Sequence, residues 1–332
     1  MGRAVLRRSV QMLITLWLVS ILGFVIIQLP PGDFLTLLES QLEDQRLSSA
    51  QIESALAGLR ARYGLDQPVY VQYLRWISGL VRGDLGYSMA MRADVNELLS
   101  ERLVLTLVIS FAAMVFSLAM ALPIGVYSAM KQYSWADYLF TVLGFLGLAL
   151  PNMLLALILV FLAVSVFNAS TIGGLFSPEY ITADWTPAKV LDLAKHLWLP
   201  AFIVGFSSTA GTIRVVRAQM LDTLGEPFIQ TARMKGLSEN RVITRHALRV
   251  ALNPVVSGLG LSLPGLISGE TITALVLGLP TVGPLLLSAL FAEDMYMAGS
   301  ILVILSGALV VGNFLADLTL AWLDPRIRLV EP

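Results

Sequence analysis

Cysteine is absent from the 332 residues, which excludes disulfides, thiolate metal sites and iron–sulfur clusters within this chain. Histidine is nearly absent, with only His196 and His246. Charge is scarce at 14% of residues, where a soluble domain carries about a quarter. The net charge of −1 offers no basic excess for nucleic acid. No Gly-Lys pair occurs, so there is no G-x-x-x-x-G-K-[ST] loop to cradle phosphates, and this chain does not itself hydrolyse ATP by that route. A Gly-x-Ser-x-Gly nucleophile elbow is missing as well.

What is present is apolar. Hydrophobic residues make up 56% of the chain and the mean hydropathy is +0.77. A bilayer core about 30 Å thick takes about 20 apolar residues in a helix. Six stretches meet that length, near 9–29, 103–130, 138–167, 197–217, 253–279 and 297–323. The third and fifth contain Pro151 and Pro264, where a kink or tilt is expected.

Orientation follows from Lys and Arg. With a cytoplasmic N-terminus, the inner segments are 1–8, 131–137, 214–252 and 324–332. They carry 13 basic and six acidic residues, against nine basic and fifteen acidic in the longer outer segments 30–102, 168–196 and 280–296. The basic excess predicts six spans with both termini inside. On that topology the two histidines lie on opposite sides of the membrane and share no metal. The first apolar run exceeds the length of a signal-peptide core and no A-x-A site follows it, so it is expected to stay as a span.

The outer segment 30–102 reads as helical. Ser48 or Ser49 starts a helix that stops at Gly64, and a second helix runs from Pro68 to about Arg82. Gly83-Asp84-Leu85-Gly86 closes it as a turn. A plain outer cap and a docking surface for a solute receptor are both open readings of this segment.

The inner segment 222–252 is the most informative. Pro227 opens a helix that runs to Lys235 and stops at Gly236. Ser238 then caps a second helix, which runs to Asn253 before Pro254 opens the next span. Phe228, Ile229, Ala232 and Leu237 fall near one face, and Arg233, Lys235, Arg241 and Arg245 supply a basic remainder. Such an insert either lies on anionic membrane lipid or docks a partner protein.

Two carboxylates fall inside spans. Glu270, near the middle of the fifth, either lines a polar pathway or pairs with hydroxyls such as Ser268 and Thr271. Asp317, near the inner end of the sixth and close to Arg326, reads as structural. Asn152 and Asn313 read as helix–helix contacts.

Thr231-Ala232-Arg233-Met234-Lys235-Gly236-Leu237-Ser238, followed by His246-Ala247-Leu248-Arg249 and Asn253-Pro254, resembles the coupling loop of the dipeptide/oligopeptide-type ABC importer permeases. Further matches lie in order along the chain. They are Leu29-Pro30-Pro31-Gly32-Asp33, Gly64-Leu65-Asp66-Gln67-Pro68, Gln72-Tyr73, Gly83-Asp84-Leu85-Gly86 with Ser88, Leu197 with Pro200, Arg214 with Arg217, and Asp324-Pro325-Arg326-Ile327-Arg328. Two places depart from the pattern. Gln230 stands where relatives often have Arg, and Thr273-Ala274…Leu277…Pro280-Thr281-Val282-Gly283 lacks the acid and first glycine of a Val-Glu…Phe…Pro-Gly-Leu-Gly stretch.

The resemblance implies an all-α polytopic protein of a bacterial or archaeal inner membrane. Its six spans are divided among the N-terminal end with the first span (1–29), an extracytoplasmic helical segment (30–102), a transmembrane permease core with its coupling insert (103–323, insert 222–252), and a cytoplasmic tail (324–332). It implies that Glu226, Thr231, Ala232, Arg233, Lys235, Gly236, Leu237 and Ser238 form the coupling surface, with Glu270 as a candidate pathway residue. The implied partners are a second homologous permease subunit, two ATP-binding-cassette ATPases and an extracytoplasmic solute-binding protein, with membrane lipid around them and no nucleic acid. ATP belongs to the partner subunits, and this chain binds no cofactor or metal and has no catalytic residue. The implied cargo is a peptide, oligosaccharide, opine or nickel complex, moved by alternating access. Two other classes compete. A secondary transporter often shows an internal inverted repeat, and a membrane-embedded hydrolase needs a nucleophile and base at depth; neither feature is found.

Overall fold

Apolar runs become helices wherever no water is available to bond the backbone, and the computed structural model follows that rule. It describes residues 2–28, 34–44, 49–166 and 173–323. In chain order the elements are α1 (Gly2–Gln28), α2 (Phe34–Asp44), α3 (Ser49–Tyr63), α4 (Val69–Val81), the strands β1 (Tyr87–Ser88) and β2 (Ala93–Asp94), α5 (Val95–Met130), α6 (Trp135–Ala149) and α7 (Asn152–Ser165). They continue with α8 (Pro187–Leu224), α9 (Pro227–Met234), α10 (Glu239–Arg241), a π-helical turn (Val242–Ala247), α11 (Leu248–Ala251), α12 (Asn253–Leu277), α13 (Val282–Phe291) and α14 (Met295–Leu323). The expected motifs at 29–33 and 324–328, the tail 324–332, Ser48 and the side chain of Asp317 lie outside the described residues.

Among the described residues, α1, α5, α8 and α14 are each long and apolar enough to cross a bilayer. The number rises to six if two bent helix pairs each count as one crossing. In the first pair the bend expected at Pro151 is a sharp break between two helices. α6 and α7 have 15 and 14 residues, about 22 Å each at about 1.5 Å per residue, and they meet at 104°. Pro151 causes the break: Leu150 before it sits at φ −85°, ψ 117°, the extended conformation that a following proline imposes. In the fifth stretch α12 stays helical through Pro264. The chain breaks later, where Gly278 takes the left-handed φ of 63° as the helix stop. Residues 282–291, expected in an outer segment, form α13 instead.

Two compact units divide the chain, 1–104 with 284–310, and 105–283 with 311–332. In the first, α3 ends at Gly64 with φ 69°, and α4 starts after Pro68 and ends at Arg82, as the proline and glycine pattern predicts. Gly83–Gly86 forms the expected turn, pinned by Asn96, whose amide donates to the Gly83 carbonyl while its carbonyl accepts from Leu85 N–H. Trp76 packs with Phe24, Met295 and Val303, and its indole N–H donates to Ser300 Oγ. Asp294 is fully buried yet accepts from Ser88 Oγ at 2.6 Å, Ala90 N–H and Met297 N–H. Three donors offset the cost of burying its charge. α2, which the sequence did not announce, packs its Leu35 against Ile52 and Leu56 of α3.

In the second unit α5, α8 and α12 close around Leu105, Ile109, Ile203 and Ala274. Small residues let the helices approach. A Cβ on Gly205 would lie 2.7 Å from the Ala113 carbonyl oxygen, and one on Gly125 equally close to Val216.

Candidate functional site

The inner insert is built on a helix stop. Gly236 has φ 74°, Gly236 N–H donates to Arg233 O, and Leu237 N–H donates to Ala232 O. That pair of bonds is the Schellman motif, which favours glycine because a Cβ is strained at positive φ. Its usual apolar contact is present too, since Leu237 packs with Ile229 and Ala232. Ser238 occupies the N-cap position of α10 with an extended backbone, but its side chain makes no capping bond. This corrects the expected hydroxyl cap.

The second half is not the plain helix expected up to Asn253. It contains the π-turn Val242–Ala247 and stops at Leu252 before α12 begins. Within it Val242, Ile243 and Ala247 are all buried, and Ala251 follows in α11. The wider π winding (i→i+5) accompanies adjacent apolar residues that share one buried face. No sequence rule used above flags such a turn.

Burial sorts the candidate residues. Ile229 and Ala232 are buried and Leu237 is half-buried, whereas Glu226, Thr231, Arg233, Lys235, Gly236 and Ser238 are exposed. The buried set joins Ala129 of α5, Val216 and Met220 of α8, and Val255 of α12 in one cluster. The insert is therefore fixed to the ends of three long helices. Arg233 bridges to Glu239 across the glycine stop, Nη2 to Oε1 at 2.6 Å and Nε to Oε2 at 3.1 Å. The bond holds the Glu239 carboxyl below its ordinary range and raises Arg233.

Phe228 does not join the inner face as expected; it is 42% exposed, and Met234 is 80% exposed. The outward surface thus combines two bare apolar side chains with exposed Arg233, Lys235, Arg241, Arg245 and Arg249. The sequence reading missed Met234, although its place one residue before the cap of an amphipathic helix was a usable signal.

Glu270 is separate from the insert. Its side chain is fully buried, as are Thr273 and Thr281. The Thr281 hydroxyl faces it from the turn after α12, and among the described residues neither the carboxylate oxygens nor that hydroxyl meets the geometry of a fully formed hydrogen bond. Thr271 is no partner, because its hydroxyl donates to Ile267 O of its own helix.

Two family profiles together span almost the whole chain. Residues 121–329 match the "Binding-protein-dependent transport system inner membrane component". Residues 1–112 match the N-terminal part of the membrane component of the same kind of system. The oligopeptide transport system permease protein AppB of Bacillus subtilis is 36% identical over 329 residues, covering 99% of this chain and 100% of that protein. The dipeptide transport system permease protein DppB of Escherichia coli K12 is 31% identical over 339 residues, covering 98% of each. The glutathione transport system permease protein GsiC of Salmonella paratyphi A is 30% identical, again covering 98% of each. With several membrane-length helices and a match that runs from end to end, the chain belongs to the binding-protein-dependent transport system inner membrane component family and is a multi-pass inner-membrane permease subunit of an ABC-type importer.

Proposed function

We propose that residues 226–252 are the element through which an ATPase drives this permease, and that the cargo is a short peptide or peptide-like solute. The observation that carries the first part is the two-sided insert. Its apolar side is locked to α5, α8 and α12, while its other side presents Phe228, Met234 and five cations. A partner groove with an apolar pocket and acidic rim matches that surface. A displacement of the insert is passed directly to α8, whose Val216 and Met220 share its core. Peptide-type cargo is supported by the relatives named for oligopeptide, dipeptide and glutathione transport. On this reading two such permease subunits alternate access between the two sides, with two ATPases below and a solute-binding protein above.

The proposed topology is six crossings, both bent pairs included, with the termini and the insert cytoplasmic and residues 30–102 outside. A Ser49→Cys variant tests it cleanly because the chain has no cysteine of its own. An impermeant maleimide added to spheroplasts should label it; labelling only after the membrane is opened contradicts the topology. Uptake of a labelled dipeptide into vesicles should require both the ATPase subunits and ATP. Uptake driven by an ion gradient without ATPases would favour a secondary transporter instead.

A further inference from the structure

We propose that a cleft between α5, α6 and α8 binds an anionic phospholipid. Two adjoining cavities of about 150 and 170 Å³ share Phe140, Gly144, Ala210 and Ile213. One runs along Phe116, Met120, Leu143, Phe202 and Phe206, a wall with almost no polar group. Gly144 and Ala210 line both cavities, and a Cβ on Gly144 would touch the Ala210 methyl at 3.6 Å. The other cavity ends at Ser128, Arg214 and Arg217.

Charge is unbalanced at that end. Arg217 pairs with Asp137 at 3.0 Å, and Asp137 also accepts from Tyr133 N–H. Arg214 is exposed and has no acidic partner among the described residues. Two guanidiniums against one carboxylate leave a net positive charge. A donor is left over as well: among the described residues the buried Arg217 Nε–H has no partner, while the buried Ser128 hydroxyl faces Asp137 without a fully formed bond. Asp137 Oδ1 likewise has no fully formed bond, an acceptor that Arg217 offsets and that is able to take a glycerol hydroxyl.

Adjoining apolar cavities, one of which ends in an unmatched cation and a spare donor, fit one acyl chain with a phosphodiester at its head. A free phosphate leaves the apolar part unfilled, and a zwitterionic lipid leaves the extra charge unmatched. Phosphatidylglycerol satisfies both. The site rests on the geometry of these three helices; only its assignment to the inner leaflet rests on the topology proposed above.

The test uses the full chain, purified in mild detergent with whatever subunits accompany it. It is mixed with equal phosphatidylglycerol and phosphatidylcholine and read by native mass spectrometry. Retention should favour phosphatidylglycerol, and Arg214→Gln, a change at an exposed position, should cut that preference about fivefold, the worth of one arginine near a lipid surface. Gly144→Leu should reduce retention of both lipids by filling the space that the two cavities share, with the melting temperature recorded beside it. Equal retention of the two lipids by the unmodified chain overturns the proposal. So does an Arg214→Gln variant that keeps the full preference. A Gly144→Leu variant that keeps its lipid but releases an accompanying membrane subunit overturns it too, and assigns the cleft to a protein partner. Because the assay needs neither ATP nor uptake, its failure leaves the coupling role untouched.

Discussion

Within the second unit, the insert buries Ile229, Ala232, Val242, Ile243 and Ala247 and leaves every charged side chain from Arg233 to Arg249 exposed. In α12, Glu270 is fully enclosed, with neither oxygen in a fully formed hydrogen bond among the described residues. The first arrangement is anchored by its apolar side and keeps its charges in water, with Phe228 and Met234 bare among them. The second places a carboxyl at depth with only the Thr281 hydroxyl facing it, a costly place for a charge. On the function proposed above, the first serves as a handle that keeps its shape under load and the second as a candidate part of the pathway.

The largest effect should come from the base of the handle. Ile229→Ala removes a fully buried side chain and should destabilise the insert by about 2–5 kcal/mol. Limited proteolysis within 226–252 should then accelerate while the membrane spans stay intact. Unchanged cleavage would mean that the insert is held by something other than its apolar face.

Gly236→Val comes next. A β-branched residue at φ 74° is strained by about 1–3 kcal/mol, so the two helices of the insert should lose their relative angle. The subunit should reach the membrane at normal level, with ATPase co-purification and ATP-driven uptake both reduced. Wild-type values for both would leave the insert a surface helix.

Glu270→Gln sharpens the other half of the comparison. Replacing a buried carboxyl that only the Thr281 hydroxyl faces should leave the melting temperature equal or higher, while uptake or cargo preference changes. A melting temperature several degrees lower would show that the carboxylate is structural, and Glu270 would drop out of the pathway.

The smallest effect belongs to the Arg233–Glu239 bridge, which is half open to water and worth well under about 1 kcal/mol. Glu239 is held below its ordinary value of 4.5 while Arg233 stays protonated. The contribution of the bridge is therefore present above that value and is lost as pH falls through the lowered one. Proteolytic protection of the insert should be flat through neutral and mildly acidic pH, and Glu239→Gln should behave at neutral pH as the parent does in acid.

Proline and glycine made much of this legible in advance. Gly64, Pro68, Gly83, Pro227 and Gly236 mark breaks that the structure places where the sequence does, because these residues fix or free φ locally. Breaks that depend on packing were not legible. Pro151 announced a kink, but its size of 104° depends on what α6 and α7 each pack against. The π-turn at Val242–Ala247 follows apolar burial with no punctuation to betray it, whereas Gly278, Pro280 and Pro284 mark the start of α13 without showing that a separate helix follows. For the insert, the motif marked the segment, whereas the split between buried and outward residues required the three helix ends that meet it. Glu270 was visible as an intramembrane acid; its enclosure beside Thr281 was not, since the turn that carries Thr281 read as an outer segment.

The central claim is that the outward surface of the insert meets an ATPase. Met234, 80% exposed in a chain without cysteine, is the best reporter. A Met234→Cys variant in inverted membrane vesicles containing the assembled transporter should crosslink to an ATPase subunit through a short bifunctional maleimide, with a yield that changes on adding ATP. A cysteine at that position that reacts freely with soluble maleimide, with and without the ATPases present, and gives no crosslinked ATPase would contradict the account.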